Sequence, residues 1–177
     1  MTDTTTESQR ILRERAHALA RAPSPAPSAD TTLDLLEFRL ASERYAVESR
    51  HVHEVHPLRE LTPLPCTPEF MLGIVNVRGR ILPVLDLKKF FQLPDQGLTD
   101  LHRIVHLRGN GLEMGLLADV IVGVRRVPLE GLQASLPTLT GIRAEYLKGV
   151  SDDRLVVLDL DRLLSDPKII VHEEVLS

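Results

Sequence analysis

Two short blocks of this chain occur twice in the same order, and that repeat restricts its fold more than any other feature. Glu69-Phe-Met-Leu-Gly-Ile74 returns as Glu145-Tyr-Leu-Lys-Gly-Val150, and Val84-Leu-Asp-Leu-Lys-Lys-Phe-Phe91 returns as Val157-Leu-Asp-Leu-Asp-Arg-Leu-Leu164. The spacing falls from 76 residues in the first block to 73 in the second, so the later copy has a shorter connection between its blocks. Loop tips tolerate such length changes. In each copy Leu-Asp-Leu is followed by two charged and two apolar residues, as expected where a strand ends and a short helix begins. Asp86 and Asp159 are therefore expected to be helix N-caps, accepting hydrogen bonds from free backbone amides.

The segments around the repeat also have the period of strands. Leu36, Phe38 and Leu40 alternate with Glu37 and Arg39, and Tyr45 and Val47 follow an expected turn at Ser42-Glu43. Further strands are expected at Ile104–Leu107, at Leu112–Leu116 across Gly109-Asn110-Gly111, and at Val120, Val122 and Val124. The fold class is mainly β: two small related barrels, each too small to be stable alone, sharing a core. Strand exchange between the barrels is left open, and no clean boundary is drawn between them.

The organisation read along the chain is a basic N-terminal helix or tail over 1–21, a proline-rich linker over 22–32, a folded domain over 33–165 and a C-terminal tail over 166–177. Thr4 and Glu7 form a capping box ahead of a weakly amphipathic stretch, so residues 1 to 30 are expected to be dispensable for the fold.

Composition narrows the function. A net charge of −4, no Trp and only two Tyr argue against a nucleic-acid binder. No apolar run reaches the roughly 20 residues needed to span a bilayer, and the N-terminus has no signal-like apolar segment, so a cytoplasmic protein without direct membrane insertion is expected. A single cysteine, Cys66, cannot form an intrachain disulfide and is expected to be at least half-buried. His51-Val-His-Glu-Val-His56 is the densest set of metal-ligand types. In a regular strand His51 and His53 share one face and His56 the other, so convergence would need a bulge. His102 and His106 fit one strand face without an evident third ligand. No metal, cofactor or catalytic residue is assigned, because phosphate loops, nucleophile elbows and zinc-protease motifs are all lacking. The chain is expected not to be an enzyme. A metal-dependent enzyme using His51, His53 and His56, and a small-ligand-binding β-barrel, are the alternatives.

The most distinctive segment is Leu72-Gly-Ile-Val-Asn-Val-Arg-Gly-Arg-Ile-Leu-Pro-Val-Leu-Asp-Leu87, an apolar hairpin with Arg78-Gly79 at its tip. Together with Phe38-Arg-Leu, Tyr45-Ala-Val, Val52-His-Glu-Val55, Pro68-Glu-Phe, Gly115-Leu-Leu-Ala-Asp-Val, Val122-Gly-Val and Tyr146-Leu-Lys-Gly149, it resembles the CheW family of chemotaxis coupling proteins. The likeness extends from Leu33 to about Ser165. It implies two five-stranded SH3-like barrels around a common core, a groove between them for the cytoplasmic tip of a chemoreceptor, and barrel surfaces for the regulatory domain of a CheA-type histidine kinase. Family contact positions map to Val52, Glu54, Gly73, Arg78 and Gly79. The implied protein is a non-catalytic adaptor, cytoplasmic and recruited to membrane-associated receptor arrays, with self-association in those arrays left open. The N-terminal basic stretch and the histidines around Glu54 depart from the family pattern. The particular receptor, kinase and motility output stay open.

Overall fold

The computed structural model describes residues 32–94, 97–99, 101–134 and 142–169, except for the side chains of 142 and 143. The expected N-terminal helix and nearly all of the linker lie outside the described residues.

The elements are β1 (Thr32–Leu40), β2 (Glu43–Glu48), β3 (Val52–Pro57), β4 (Met71–Val77), β5 (Arg80–Leu85), α1 (Leu87–Phe90), β6 (Arg103–Gly109), β7 (Leu112–Ala118), β8 (Val120–Pro128), β9 (Leu132–Gln133), α2 (Ile142–Glu145), β10 (Leu147–Ser151), β11 (Val156–Leu158) and α3 (Leu160–Ser165). Their sheets run β8-β1-β2-β11-β10-β9 and β3-β6-β7-β5-β4. The chain is mainly β, as the alternation predicts. One sheet has a sixth strand where five were expected, the two-residue β9. In the other sheet an isolated bridge from Thr62 to Ile74 occupies the corresponding place beside β4.

The sheets have matching designs. Each contains a hairpin (β4–β5 or β10–β11) whose second strand pairs in parallel with the second strand of another hairpin, β5 with β7 and β11 with β2. The repeat extends to hydrogen bonds: Asp86 donates its N–H to Phe70 O at 2.8 Å, and Asp159 to Tyr146 O at 2.8 Å. Both first strands carry a bulge at the same point, between Met71 and Gly73 and between Leu147 and Gly149. The expected caps are in place, with Asp86 accepting from the Lys88 amide and Asp159 from the Arg162 amide. The barrels are not contiguous halves, however. β3 to β7 form one sheet from a single stretch of chain set between β2 and β8, and β8 crosses back to pair with β1, so each sheet combines strands from both halves of the chain.

That exchange gives the two sheets a continuous core. Phe38, Tyr45 and Val47 from one pack in the same cluster as Leu85, Leu107 and Leu116 from the other. Phe91 stacks on Tyr45, and Phe90 meets both Phe70 and Tyr146 with ring centroids 5.0 and 5.3 Å apart. Rings from both repeat copies therefore fill the junction, and burying this apolar area is the main force holding the barrels together. Packing continues past the expected boundary at Ser165: the Tyr146 hydroxyl donates to Asp166, and Ile169 is buried in the same core.

Several local expectations shift. The β1–β2 turn falls at Ala41-Ser42, one residue early, since Leu40 pairs with Glu43. Glu37 is buried rather than solvated, because β1 is flanked by β2 and β8 and Arg44 and Arg125 bind its carboxylate. Cys66 is exposed on the segment before β4, not half-buried, because it occupies a turn outside the strands. Val120, Val122 and Val124 alternate on β8 as predicted, but this apolar face points outward.

Candidate functional site

The site grows from the β4–β5 hairpin. Val77 pairs with Arg80, leaving the two-residue turn Arg78-Gly79 with φ of 51° and 85°. Two positive φ values define the turn that suits the twist of a β hairpin. Asn110-Gly111, at the tip of β6–β7, has the same geometry with the residues that favour it. An arginine in the left-handed region costs about 1 kcal/mol more than glycine or asparagine would there. Asn76 Oδ1 offsets part of this by accepting the Gly79 N–H at 2.8 Å. The turn holds Arg78 with 80% of its side chain exposed.

β3 and β4 are the two edges of their sheet. Between them is an open seam, a hollow of about 260 Å³ bordered by His56, Pro57 and Arg59 on one side and Val75, Asn76, Val77 and Arg78 on the other. Glu54 joins the edges: its Oε2 lies 3.3 Å from Arg78 Nη1 and its Oε1 3.0 Å from His56 Nε2. Desolvation works against ionisation of Glu54, but the His56 hydrogen bond and the charges of His56 and Arg78 hold its carboxyl below the ordinary value. The opposite side of the hairpin faces a larger, mainly apolar groove of about 450 Å³, lined by Leu64, Pro65, Met71, Ile74, Pro83, Met114 and Ile169 among others.

The five expected contact residues divide by environment. Glu54 and Arg78 meet at the seam, and Gly79 completes the turn beside Arg78. Val52 sits opposite Leu107 at the other end of β3 and packs against the shared core. Gly73 is buried, and a Cβ there would come within 2.1 Å of Thr62 O. Its lack of a side chain is what lets the Thr62 segment pair with β4.

The His51, His53 and His56 triplet does not form. His51 is buried at the far end, its Nδ1 3.2 Å from Arg108 O. A bulge between Val52 and Glu54 instead brings consecutive His53 and Glu54 to the neighbourhood of His106 on β6. The His53 and His106 rings meet edge to face at 4.9 Å. His106 Nε2 lies 3.2 Å from Glu113, whose carboxylate also binds Arg80 and Arg108.

A second polar cluster escaped the sequence reading. Lys88, only 1% exposed, donates to Asp119 Oδ1 at 2.7 Å, and His102 Nε2 is 2.9 Å from the same oxygen. Asp119 Oδ2 accepts the Ala41 N–H at 2.6 Å, so one carboxylate ties the β1–β2 turn to α1. Burial pushes the Asp119 carboxyl up, yet the Lys88 and Ala41 hydrogen bonds and the nearby His102 keep it below the ordinary value. The available signal was a lysine two residues after a cap, but nothing local marked it as buried.

Comparison with known proteins agrees with this architecture. The CheW-like domain model matches residues 34–168. The chain is 32% identical over 147 residues to "Chemotaxis protein CheW" of Treponema pallidum, covering 79% of this chain and 86% of that protein. It is 34% identical over 133 residues to "Protein FrzA" of Myxococcus xanthus, covering 72% of this chain and 82% of that one. The crystal structure of scaffolding protein TtCheW from Thermoanaerobacter tengcongensis matches with a TM-score of 0.69 and 30% identity, over 82% of this chain and 96% of that chain. With the paired barrels, the Arg-Gly hairpin tip and a domain match over most of its length, this chain belongs to the CheW family of chemotaxis coupling proteins.

Proposed function

We propose that this chain is a non-catalytic adaptor that couples chemoreceptor cytoplasmic tips to the regulatory domain of a CheA-type histidine kinase in receptor arrays at the membrane. The observation that carries this reading is the exposed Arg78 guanidinium, held on a turn that costs conformational energy and placed between the seam and the apolar groove. Strain kept at an exposed tip is a reason to look for function there. A helical receptor hairpin can place apolar side chains in the Met71, Ile74 and Pro83 groove while its carboxylates or carbonyls take the N–H donors of Arg78 that Glu54 leaves free.

An adaptor needs a second surface for its second partner. Val120, Val122 and Val124 are 51%, 52% and 69% exposed in a row on the edge strand β8, an apolar stripe suited to a kinase-domain contact. No helix among the described residues is long and apolar enough to cross a membrane, so attachment to the array would come through the receptor. Coupling would arise from differential contacts with the active and inactive states of the kinase, without chemistry on the adaptor.

The test is reconstitution of receptor, kinase and this protein, following kinase autophosphorylation. Receptor control should appear only when the adaptor is present, and the adaptor itself should neither hydrolyse ATP nor acquire phosphate. Phosphotransfer to any of its residues, or receptor control that is equal without it, would defeat the proposal.

A further inference from the structure

His106 Nδ1 is a buried polar atom with no hydrogen-bond partner among the described residues, in a residue that is only 1% exposed. Leaving such an atom unpaired costs free energy unless something binds it. Its surroundings are ordered in the way that prepares an imidazole for a metal. Glu113 accepts from Nε2 at 3.2 Å, which places the ring proton there and directs the lone pair of Nδ1 the other way. Glu113 is itself held by Arg80 at 3.0 Å and Arg108 at 2.8 Å. Toward Nδ1 lie His53 and Glu54, and one ligand atom from each of the three residues lies within 4.8 Å of the others.

From this geometry we propose that His53, Glu54 and His106 form a binding site for a divalent transition-metal ion of the zinc class, with Glu113 as the residue that orients His106. Two imidazoles and one carboxylate are ordinary ligands for zinc, and ligand distances near 2.1 Å put tetrahedral donors roughly 3.4 Å apart. The exposed His53 ring can swing inward to meet that requirement, leaving the fourth position to water. Glu54 would use Oε1, which is 3.9 Å from His106 Nδ1, while Oε2 keeps its contact with Arg78. The bulge in β3 makes the site possible, because a regular strand would turn His53 and Glu54 to opposite faces. The site does not depend on the adaptor reading and would stand if receptor coupling failed.

The test uses the full-length protein, stripped with chelator and titrated with Zn²⁺ by calorimetry, alongside histidine ¹⁵N spectra. One stoichiometric zinc is expected, with the largest shift at His106 Nδ1 rather than Nε2. His53→Gln changes an exposed residue and should keep the fold while weakening zinc at least about tenfold; Glu113→Gln should weaken it by about 10- to 100-fold through loss of His106 orientation. Failure of the wild-type protein to take up stoichiometric zinc would overturn the site. So would an affinity unchanged by His53→Gln, or shifts confined to other histidines.

Discussion

The two copies of the repeated hairpin are built alike and end differently. In β4–β5 the tip presents Arg78, and its ionic contact reaches sideways to Glu54 across an open seam. In β10–β11 the strands are shorter and the tip is acidic, and Asp153 is drawn back onto its own barrel by Ser151, by Arg44 at 3.0 Å and by Arg125 at 2.8 Å. Arg44 comes from β2 and Arg125 from β8, so this second tip fastens the exchanged strand to its sheet. One framework thus serves two ends. Both tip charges are paired within their own sheet, but Asp153 is held by two arginines and stabilises the fold, whereas Arg78 has Glu54 alone and keeps 80% of its side chain exposed to a partner.

The contrast is strongest at the bulge glycines. At Gly73, φ is 144° and an added Cβ would meet Thr62 O at 2.1 Å, whereas at Gly149 the nearest contacts would be Leu132 Cβ at 2.9 Å and Gln133 O at 3.2 Å. Gly73→Ala should therefore destabilise by about 3 kcal/mol or more, and Gly149→Ala by about 1 to 2 kcal/mol. Urea denaturation of both variants measures the difference. Equal losses would mean that the two copies are under the same constraint after all.

Next comes the tip itself. Arg78→Asn keeps a residue suited to positive φ and removes the cation, so folding should be unchanged or gain up to about 1 kcal/mol from the relieved backbone cost, while partner binding weakens by about 1 to 3 kcal/mol. Calorimetric titration with receptor tip and with kinase regulatory domain separates the two effects. If neither affinity moves, the tip is a solvated turn and the assignment of Arg78 fails.

The caps sharpen the comparison further. Asp86 is buried with 1% exposure, while Asp159 is only half-buried, although both cap a helix in the same position. Asp86→Ala should cost about 2 kcal/mol and Asp159→Ala about 0.5 to 1 kcal/mol, the range known for such caps. Thermal unfolding of the single variants should rank them in that order.

The smallest effect concerns acid. Hydrogen bonds from Ser151 and Arg125, with further help from Arg44, hold the Asp153 carboxyl well below its ordinary value. A depressed folded pKa adds stability that is complete above the unfolded value of about 3.9 and is lost as pH falls through the folded one. Wild-type protein should thus lose stability on acidification below about pH 4, and Asp153→Asn should flatten that slope. Arg78→Asn should leave the Asp153 part of that slope unchanged and flatten only the part that comes from Glu54, whose carboxyl Arg78 helps hold down.

Much of this was readable before any coordinates. The repeat, the Asp86 and Asp159 caps, the Asn110-Gly111 turn and the Arg78-Gly79 tip are all local, governed by residues within a few positions of one another. The turn at Ala41-Ser42 was placed one residue late because Ser42-Glu43 is an equally good turn on its own, and the choice is made by the register of β1 against β2. The burial of Lys88 was not readable, since its partner Asp119 is 31 residues away. The meeting of His53 and Glu54 with His106 was not readable for a related reason. An alternating pattern assumes a regular strand, and only pairing with β6 reveals that β3 is bulged between Val52 and Glu54.

The sequence by itself therefore determined the strands, the turns, the caps and the doubling of the motif, because periodicity, propensity and positive φ act through near neighbours. Tertiary structure decided which barrel each strand joined, which charges were buried and which histidines met. Those outcomes depend on register and on apolar area shared between distant segments, and a shift of one residue sends a side chain to the opposite face of the sheet.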